Sequence, residues 1–245
     1  MCGRYAMSRG AVELVEEFEV DDPAPPALPA DYNVAPTKPV YAVLERLEHE
    51  AERSRRLAIV RWGLVPSWAK DPSVGSRMVN ARLETAAEKP SFRSAYSRRR
   101  CIMPADGYYE WQVAQNADGS GKAPKQPWFI HAGDGHVLGM AGLYEVWRDR
   151  TRDNDDPAAW LWTATVLTAE ATGELARIHH RTPLLVPREL RSQWLNPTNH
   201  DPSRLIPLLR RASEDLVATP VSTEVNSVRN NGPSLLTPVS IEAGE

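Results

Sequence analysis

The chain of 245 residues is 42% hydrophobic and 25% charged, the proportions of an ordinary globular protein long enough to bury a core. No run approaches the ~18 apolar residues of a membrane-spanning helix, and two cysteines are too few for a disulfide framework or a cysteine zinc set. A net charge of −3 argues against a surface that is basic throughout, so any polyanion partner must be met locally.

Other counts narrow the class. There are 21 Pro against 14 Gly, which favours stiff turns and short elements over long helices. The 8 Trp outnumber the 7 Tyr and 3 Phe, so a stacking or wedge surface is to be sought. The start lacks the basic-then-apolar pattern of a secretory leader, and a cytoplasmic location is the expectation.

The chain opens with Met1-Cys2-Gly3-Arg4. Loss of the initiator methionine, expected before a small residue, leaves Cys2 with an α-amine and a thiol on adjacent carbons. The amine titrates near ~8 and the thiol near ~8.5, so each has a minor reactive fraction at neutral pH. The pair matches an aldehyde. The amine condenses to an imine, and the thiol adds to the same carbon to close a five-membered thiazolidine. That second step is intramolecular and gains from a high effective concentration. As plain structure, Cys2 is a small buried apolar residue.

Residues 10–20 have the pattern of a short amphipathic helix, with Val12, Val15 and Phe18 at helical spacing. Residues 21–30 are a proline-rich connector. Residues 31–37 form a polar loop in which Asn33 offers an amide to a ligand. Residues 39–47 and 57–64 alternate as two strands around a charged hairpin tip at 48–56, and the second runs into Trp62-Gly63-Leu64-Val65-Pro66-Ser67-Trp68. Asn80 is placed to cap a helix over 80–88. From Arg77 to Cys101, seven cations (Arg77, Arg82, Lys89, Arg93, Arg98, Arg99, Arg100) face two acids (Glu84, Glu88), a local balance of +5. That is either a solvated basic face or a polyanion site.

Residues 100–104 are a short strand or loop, and Gly107-Tyr108-Tyr109-Glu110-Trp111 is a buried aromatic strand holding one carboxylate. Glu110 faces the opposite side from Tyr109 and Trp111. It points either to solvent or into a pocket, where desolvation raises a carboxyl pKa toward acid–base use. Residues 115–127 form a flexible hairpin loop. Residues 127–131, 136–147 and 160–168 are strands, with a polar loop at 148–157. A helix over 168–178 leads to His179-His180-Arg181-Thr182-Pro183 and an apolar strand. Short helices at 187–194 and 202–211 precede a last strand over 221–233, and residues 241–245 are a frayed tail. His49, His131, His136 and His200 read as ordinary histidines. There is no internal repeat, phosphate-cradling glycine loop or zinc spacing, so neither a metal nor a cofactor is expected.

Four stretches together resemble one family: the Met-Cys-Gly-Arg start, the 62–68 motif, Asn80-Ala81-Arg82-Leu83-Glu84-Thr85, and Pro104-Ala105-Asp106-Gly107-Tyr108-Tyr109-Glu110-Trp111. His179 through Pro183 and Val225-Asn226 continue the match in the same order. The chain resembles the SOS-response-associated peptidase (SRAP) family of abasic-site sensors that crosslink to DNA. The resemblance implies one α+β domain over residues 1–240, with a curved, mostly antiparallel, barrel-like core flanked by short helices. It implies a monomer acting at damaged DNA in the nucleoid, with single-stranded DNA as partner and no membrane. It makes Cys2 the nucleophile and Asn80 the residue that positions the sugar or the cysteine amine. Glu110 becomes the proton shuttle, and His179 the group that assists sugar-ring opening and crosslink release. Arg4, Arg77, Arg82 and Arg181 hold phosphates, and Trp68 stacks on or wedges beside a base. Where the family carries an acidic residue between His and Arg, this chain has His180. Where Met is common before the proline, it has Thr182.

Two other classes use the same residues. A cysteine peptidase would pair Cys2 with His179 as a catalytic dyad. A non-catalytic module would bind single-stranded DNA through Arg and Trp alone, leaving the placement of Cys2 and Glu110 unexplained.

Overall fold

Among the described residues, alternating and β-branched runs build twelve strands, and six short helices fill the gaps between them. The computed structural model describes residues 2–47, 52–113, 125–212 and 215–240. Met1, residues 48–51 of the 48–56 hairpin tip, residues 115–124 of the 115–127 loop and the 241–245 tail lie outside the described residues. In chain order the elements are β1 (Tyr5–Met7), α1 (Ala11–Glu17), β2 (Asp31–Val34), β3 (Pro39–Leu47), β4 (Arg53–Trp62) and β5 (Asn80–Arg82). Next come α2 (Leu83–Ala86), α3 (Arg93–Arg98), β6 (Arg100–Ala105), β7 (Gly107–Val113), β8 (Lys125–Ala132) and β9 (Leu138–Arg148). The chain finishes with β10 (Trp160–Glu170), α4 (Gly173–Ile178), β11 (Arg181–Pro183), α5 (Arg191–Leu195), α6 (Ile206–Arg211) and β12 (Leu216–Pro220).

Five strands close a mixed barrel in the order β10-β4-β3-β6-β9, with β9 pairing back to β10. Closure removes the edges that an open sheet would expose. Val43, Ile102 and Ala141 sit in register across β3, β6 and β9, and all three are fully buried. β10 is parallel to both β4 and β5, the exceptions to the expected antiparallel pattern. A second, antiparallel sheet in the order β12-β8-β7-β1-β2 packs beside the barrel. Its other face carries a smaller cluster of Ala6, Tyr109, Phe129, Val221, Val225 and Leu235. The architecture is α+β. Among the described residues, no helix is long and apolar enough to cross a membrane.

Several local expectations change. The apolar stripe of α1 is Ala11, Leu14 and Phe18, whereas Val12 is 68% exposed. Residues 31–34 form a strand because β1 supplies its hydrogen bonds. Asn80 opens β5 rather than capping a helix, since β10 offers it a parallel partner and α2 starts only at Leu83. β10 continues to Glu170, which leaves α4 only six residues. The last strand is β12, paired with β8, and the chain beyond it holds 3-10 turns at Thr223–Asn226 and Pro233–Leu236.

The basic stretch divides in two. Arg100 is buried, and its guanidinium donates to the carbonyls of Tyr96, Ser97, Trp194, Asn196 and Asn199. Burial lowers its pKa to about 10. Arg99 donates to Glu145 at 2.7 Å. These two cations hold α3, β6 and the segment after α5 together. Arg77, Arg82, Lys89, Arg93 and Arg98 remain exposed.

Candidate active site

The first residues of the chain extend β1 along β7. Tyr5 pairs with Tyr108, and the Tyr109 amide donates to the Arg4 carbonyl at 2.9 Å. This brings Cys2 into the core beside the middle of β7, where it is fully buried. Burial, then the charge of Glu110, pushes its thiol pKa well up. Strand alternation sends Tyr109 and Trp111 to the small cluster and Tyr108 and Glu110 to the barrel side. Glu110 is 2% exposed, and desolvation raises its carboxyl to about pH 7. The sequence left solvent or pocket open for Glu110, and the strand buries it.

Asn80 reaches the same place from the barrel. Its Nδ2 donates to the Cys2 carbonyl at 2.6 Å, while its buried Oδ1 has no hydrogen-bond partner. A loop with two close backbone approaches positions it. Gly63 has φ +122°, and a Cβ there would lie 2.4 Å from the Gly75 carbonyl oxygen. Only glycines let the 62–68 motif lie against the Pro72–Arg77 turn that leads into β5. Buried Trp62 fixes the same junction, its Nε1 donating to the Val79 carbonyl at 3.0 Å.

His179 ends α4 with its Nδ1 3.8 Å from Glu110 Oε2. The same nitrogen lies 3.1 Å from the Arg181 amide and 3.3 Å from the Arg181 carbonyl, so the Arg181 backbone holds the ring. Burial lowers the His179 pKa, so the neutral form prevails at pH 7. His180 is exposed, its ring centroid 4.4 Å from that of His179. The two neighbours are thereby separated, and His179 is the one beside the carboxylate.

The expected DNA ligands fall into three groups. Arg77, Arg82 and Trp68 are exposed, Trp68 by 61%. Arg4 is half-buried, its Nη1 donating to Asn33 Oδ1 (2.6 Å) and the Val225 carbonyl (2.9 Å), 5.8 Å from the Trp111 ring. Arg181 is buried, its terminal nitrogens on the Glu84 carboxylate at 3.0 and 2.9 Å and on Thr168. A phosphate would have to displace Glu84 to reach it. Asn33 requires a correction. It is fully buried, and its Nδ2 donates to the carbonyls of Val225, Ser227 and Asn230. Its amide hydrogens are taken up within the chain, and its Oδ1 accepts from Arg4. Asn33→Ala therefore lowers stability by about 1–3 kcal/mol, the cost of orphaning buried partners, as thermal unfolding will read.

Two features escaped sequence reasoning. Tyr108 OH and Thr182 Oγ1 lie 2.8 Å apart, both buried, which explains a hydroxyl before Pro183. The Val225 carbonyl anchors Arg4, a backbone group with no sequence signal. A groove of about 780 Å³ between the β8–β9 turn and α6 contains none of the site residues.

Residues 1–228 match the family model described as SOS response associated peptidase. The chain belongs to the SRAP family. It is 37% identical over 96% of its length to the abasic site processing protein YoqW of Bacillus subtilis, covering 99% of that protein. It is 32% identical to YedK of Escherichia coli, also named an abasic site processing protein, with 98% of this chain and all of YedK covered. It is likewise 32% identical to HMCES of Gallus gallus, covering 98% of this chain and 79% of that protein. A crystal structure of a Bacteroides thetaiotaomicron protein shares the fold, with a TM-score of 0.77 and 24% identity over 98% of this chain and all of the other. The SRAP match spans Cys2, Asn80, Glu110 and His179 together.

Proposed function

We propose that this chain processes abasic sites in single-stranded DNA by forming a thiazolidine crosslink through Cys2. Its SRAP relatives are named for abasic site processing. The observation that carries the reading is a buried Cys2 held through its carbonyl by Asn80, beside a carboxyl titrating near neutrality.

Removal of Met1 creates the α-amine. The unpartnered Asn80 Oδ1 suits an acceptor for one of its hydrogens, aiming the nitrogen lone pair at the incoming carbon. His179 takes the anomeric hydroxyl proton of the closed sugar and returns a proton to the ring oxygen as the ring C–O bond breaks, so the ring oxygen leaves as a hydroxyl and the open aldehyde forms. The amine adds to that aldehyde, Glu110 protonates the departing hydroxyl, and one water leaves as the imine forms. The thiol then adds across the C=N bond: sulfur bonds to carbon, and its proton passes through Glu110 to nitrogen. A carboxyl near pH 7 has both forms populated for these opposite transfers. Reversal follows the same steps backward. An abasic nucleotide has no base to unstack, so it is cheap to extrude toward a buried nucleophile.

Burial of the thiol favours this reading over a peptidase. A Cys–His nucleophile works as a thiolate with a lowered pKa, whereas burial and Glu110 push the Cys2 thiol up. Addition of a neutral thiol to an iminium carbon needs no preformed thiolate.

Arg77 and Arg82 hold phosphates on either side of Asn80, Arg4 holds one beside Trp111, and Trp68 stacks against a base. The protein acts as a monomer on damaged DNA. Affinity for undamaged single-stranded DNA therefore falls with salt, with a log–log slope of about −0.7 per phosphate contact. Arg77→Ala and Arg82→Ala each make that slope shallower by about 0.7. A titration showing salt-independent affinity counts against the interface.

A further inference from the structure

Among the described residues, two non-glycine residues lie in the left-handed backbone region, Glu19 (φ 52°) and Thr37 (φ 73°). Glu19 follows the C-cap of α1, where this conformation routinely ends a helix. Thr37 has no such setting. It occupies the third position of the Ala35-Pro36-Thr37-Lys38 turn between β2 and β3, where Lys38 N donates to Ala35 O at 3.4 Å. Proline followed by positive φ is a turn that calls for Gly or Asn, and a β-branched residue there is an outlier. Strain of this kind persists where the surroundings fix it and gathers where ligands are held.

The surroundings do fix it. Thr37 N donates to the Trp62 carbonyl at 2.8 Å, and Trp62 N donates to the Lys38 carbonyl at 3.0 Å. Trp62 in turn bonds Val79, and Asn80 bonds Cys2. The turn is thus clamped to the end of β4, whose Trp62 is bonded to the segment that carries Asn80. The neighbouring cation does not serve this turn, because Lys38 pairs with Asp31 at 2.5 Å. Thr37 itself is exposed. A residue present for conformation alone would be Gly or Asn, and Thr adds a hydroxyl.

We propose that Thr37 is a DNA-backbone ligand, its hydroxyl donating to a phosphate oxygen of the strand that crosses the Cys2 site. The inference rests on the reading of that site as one for single-stranded DNA. Hydroxyl-to-phosphate bonds are a common way to fix a strand's register without reading sequence.

The test compares wild type with Thr37→Val, Thr37→Ser and Thr37→Gly, by equilibrium binding to an undamaged single-stranded oligonucleotide and by thermal unfolding. Thr37→Val keeps the shape and the strain and removes only the hydroxyl. It is expected to unfold at the wild-type temperature and to bind about three- to tenfold more weakly, the worth of one hydrogen bond. Its salt slope stays that of wild type, since no cation is lost. Thr37→Ser is expected to bind as wild type, and Thr37→Gly to bind as weakly as Thr37→Val despite its relaxed backbone. Wild-type affinity in Thr37→Val, or equal losses in Ser and Val, overturns the role of Thr37 alone. A wild type that does not bind the oligonucleotide overturns the DNA reading itself, and Thr37's part with it.

Discussion

Glu110→Gln is expected to slow crosslinking to an abasic oligonucleotide by about 10²–10⁴-fold, the range for loss of general acid–base help, while affinity for undamaged DNA stays near wild type. Glutamine keeps the size and polarity of the side chain and cannot pass a proton. The same substitution has a second expected effect. Burial moves the carboxyl from an ordinary 4.5 to about 7. Between those values the folded chain holds a proton that the unfolded chain has released, so this residue's contribution to stability falls as pH rises from 4.5 to 7. At 1.36 kcal/mol per pH unit, the loss is on the order of 3 kcal/mol. Glutamine has no such slope. At pH 8 the variant should therefore be more stable than wild type, and near pH 4 the two should converge. A wild-type rate would remove Glu110 from the proton transfers, and a variant less stable at pH 8 would contradict the burial argument.

The α+β fold class was legible in the sequence, and so were the residues that the strands bring together at Cys2. Cys2 stands out because an N-terminal aminothiol has a reactivity no internal cysteine shares, and Glu110 because a carboxylate inside an aromatic strand must point somewhere. Long-range partners were not legible. Asn80 resembles a helix cap until β10, far along the chain, gives it a parallel neighbour. Asn33 resembles a loop amide until the segment from Val225 to Asn230 folds over it. Arg100 adds to a local charge count, yet five carbonyls from two separate segments draw it inside. Local composition records the charge and not the acceptors. Neighbouring histidines were equivalent on paper, and helix termination at Ile178 set His179 inward and left His180 exposed.

The largest effect is expected at the N-terminus. A thiazolidine needs a free α-amine and a thiol on one residue. Retaining Met1, or placing any residue before Cys2, turns the amine into an amide without a nucleophilic lone pair. The thiol alone then gives a hemithioacetal, which reverses readily, and stable crosslinking is lost. Cys2→Ala keeps the amine and loses ring closure, so its imine hydrolyses unless borohydride traps it, and the strand is open to β-elimination. Cys2→Ser closes only an oxazolidine, less stable because an alcohol competes poorly with water. The most direct measurement is a denaturing gel, with intact mass, of processed and N-terminally extended protein after reaction with an abasic oligonucleotide. The processed protein should give a heat-stable adduct without reductant, with the combined mass less one water, and the extended protein should give none. An extended protein that crosslinks as stably as the processed one would contradict the account.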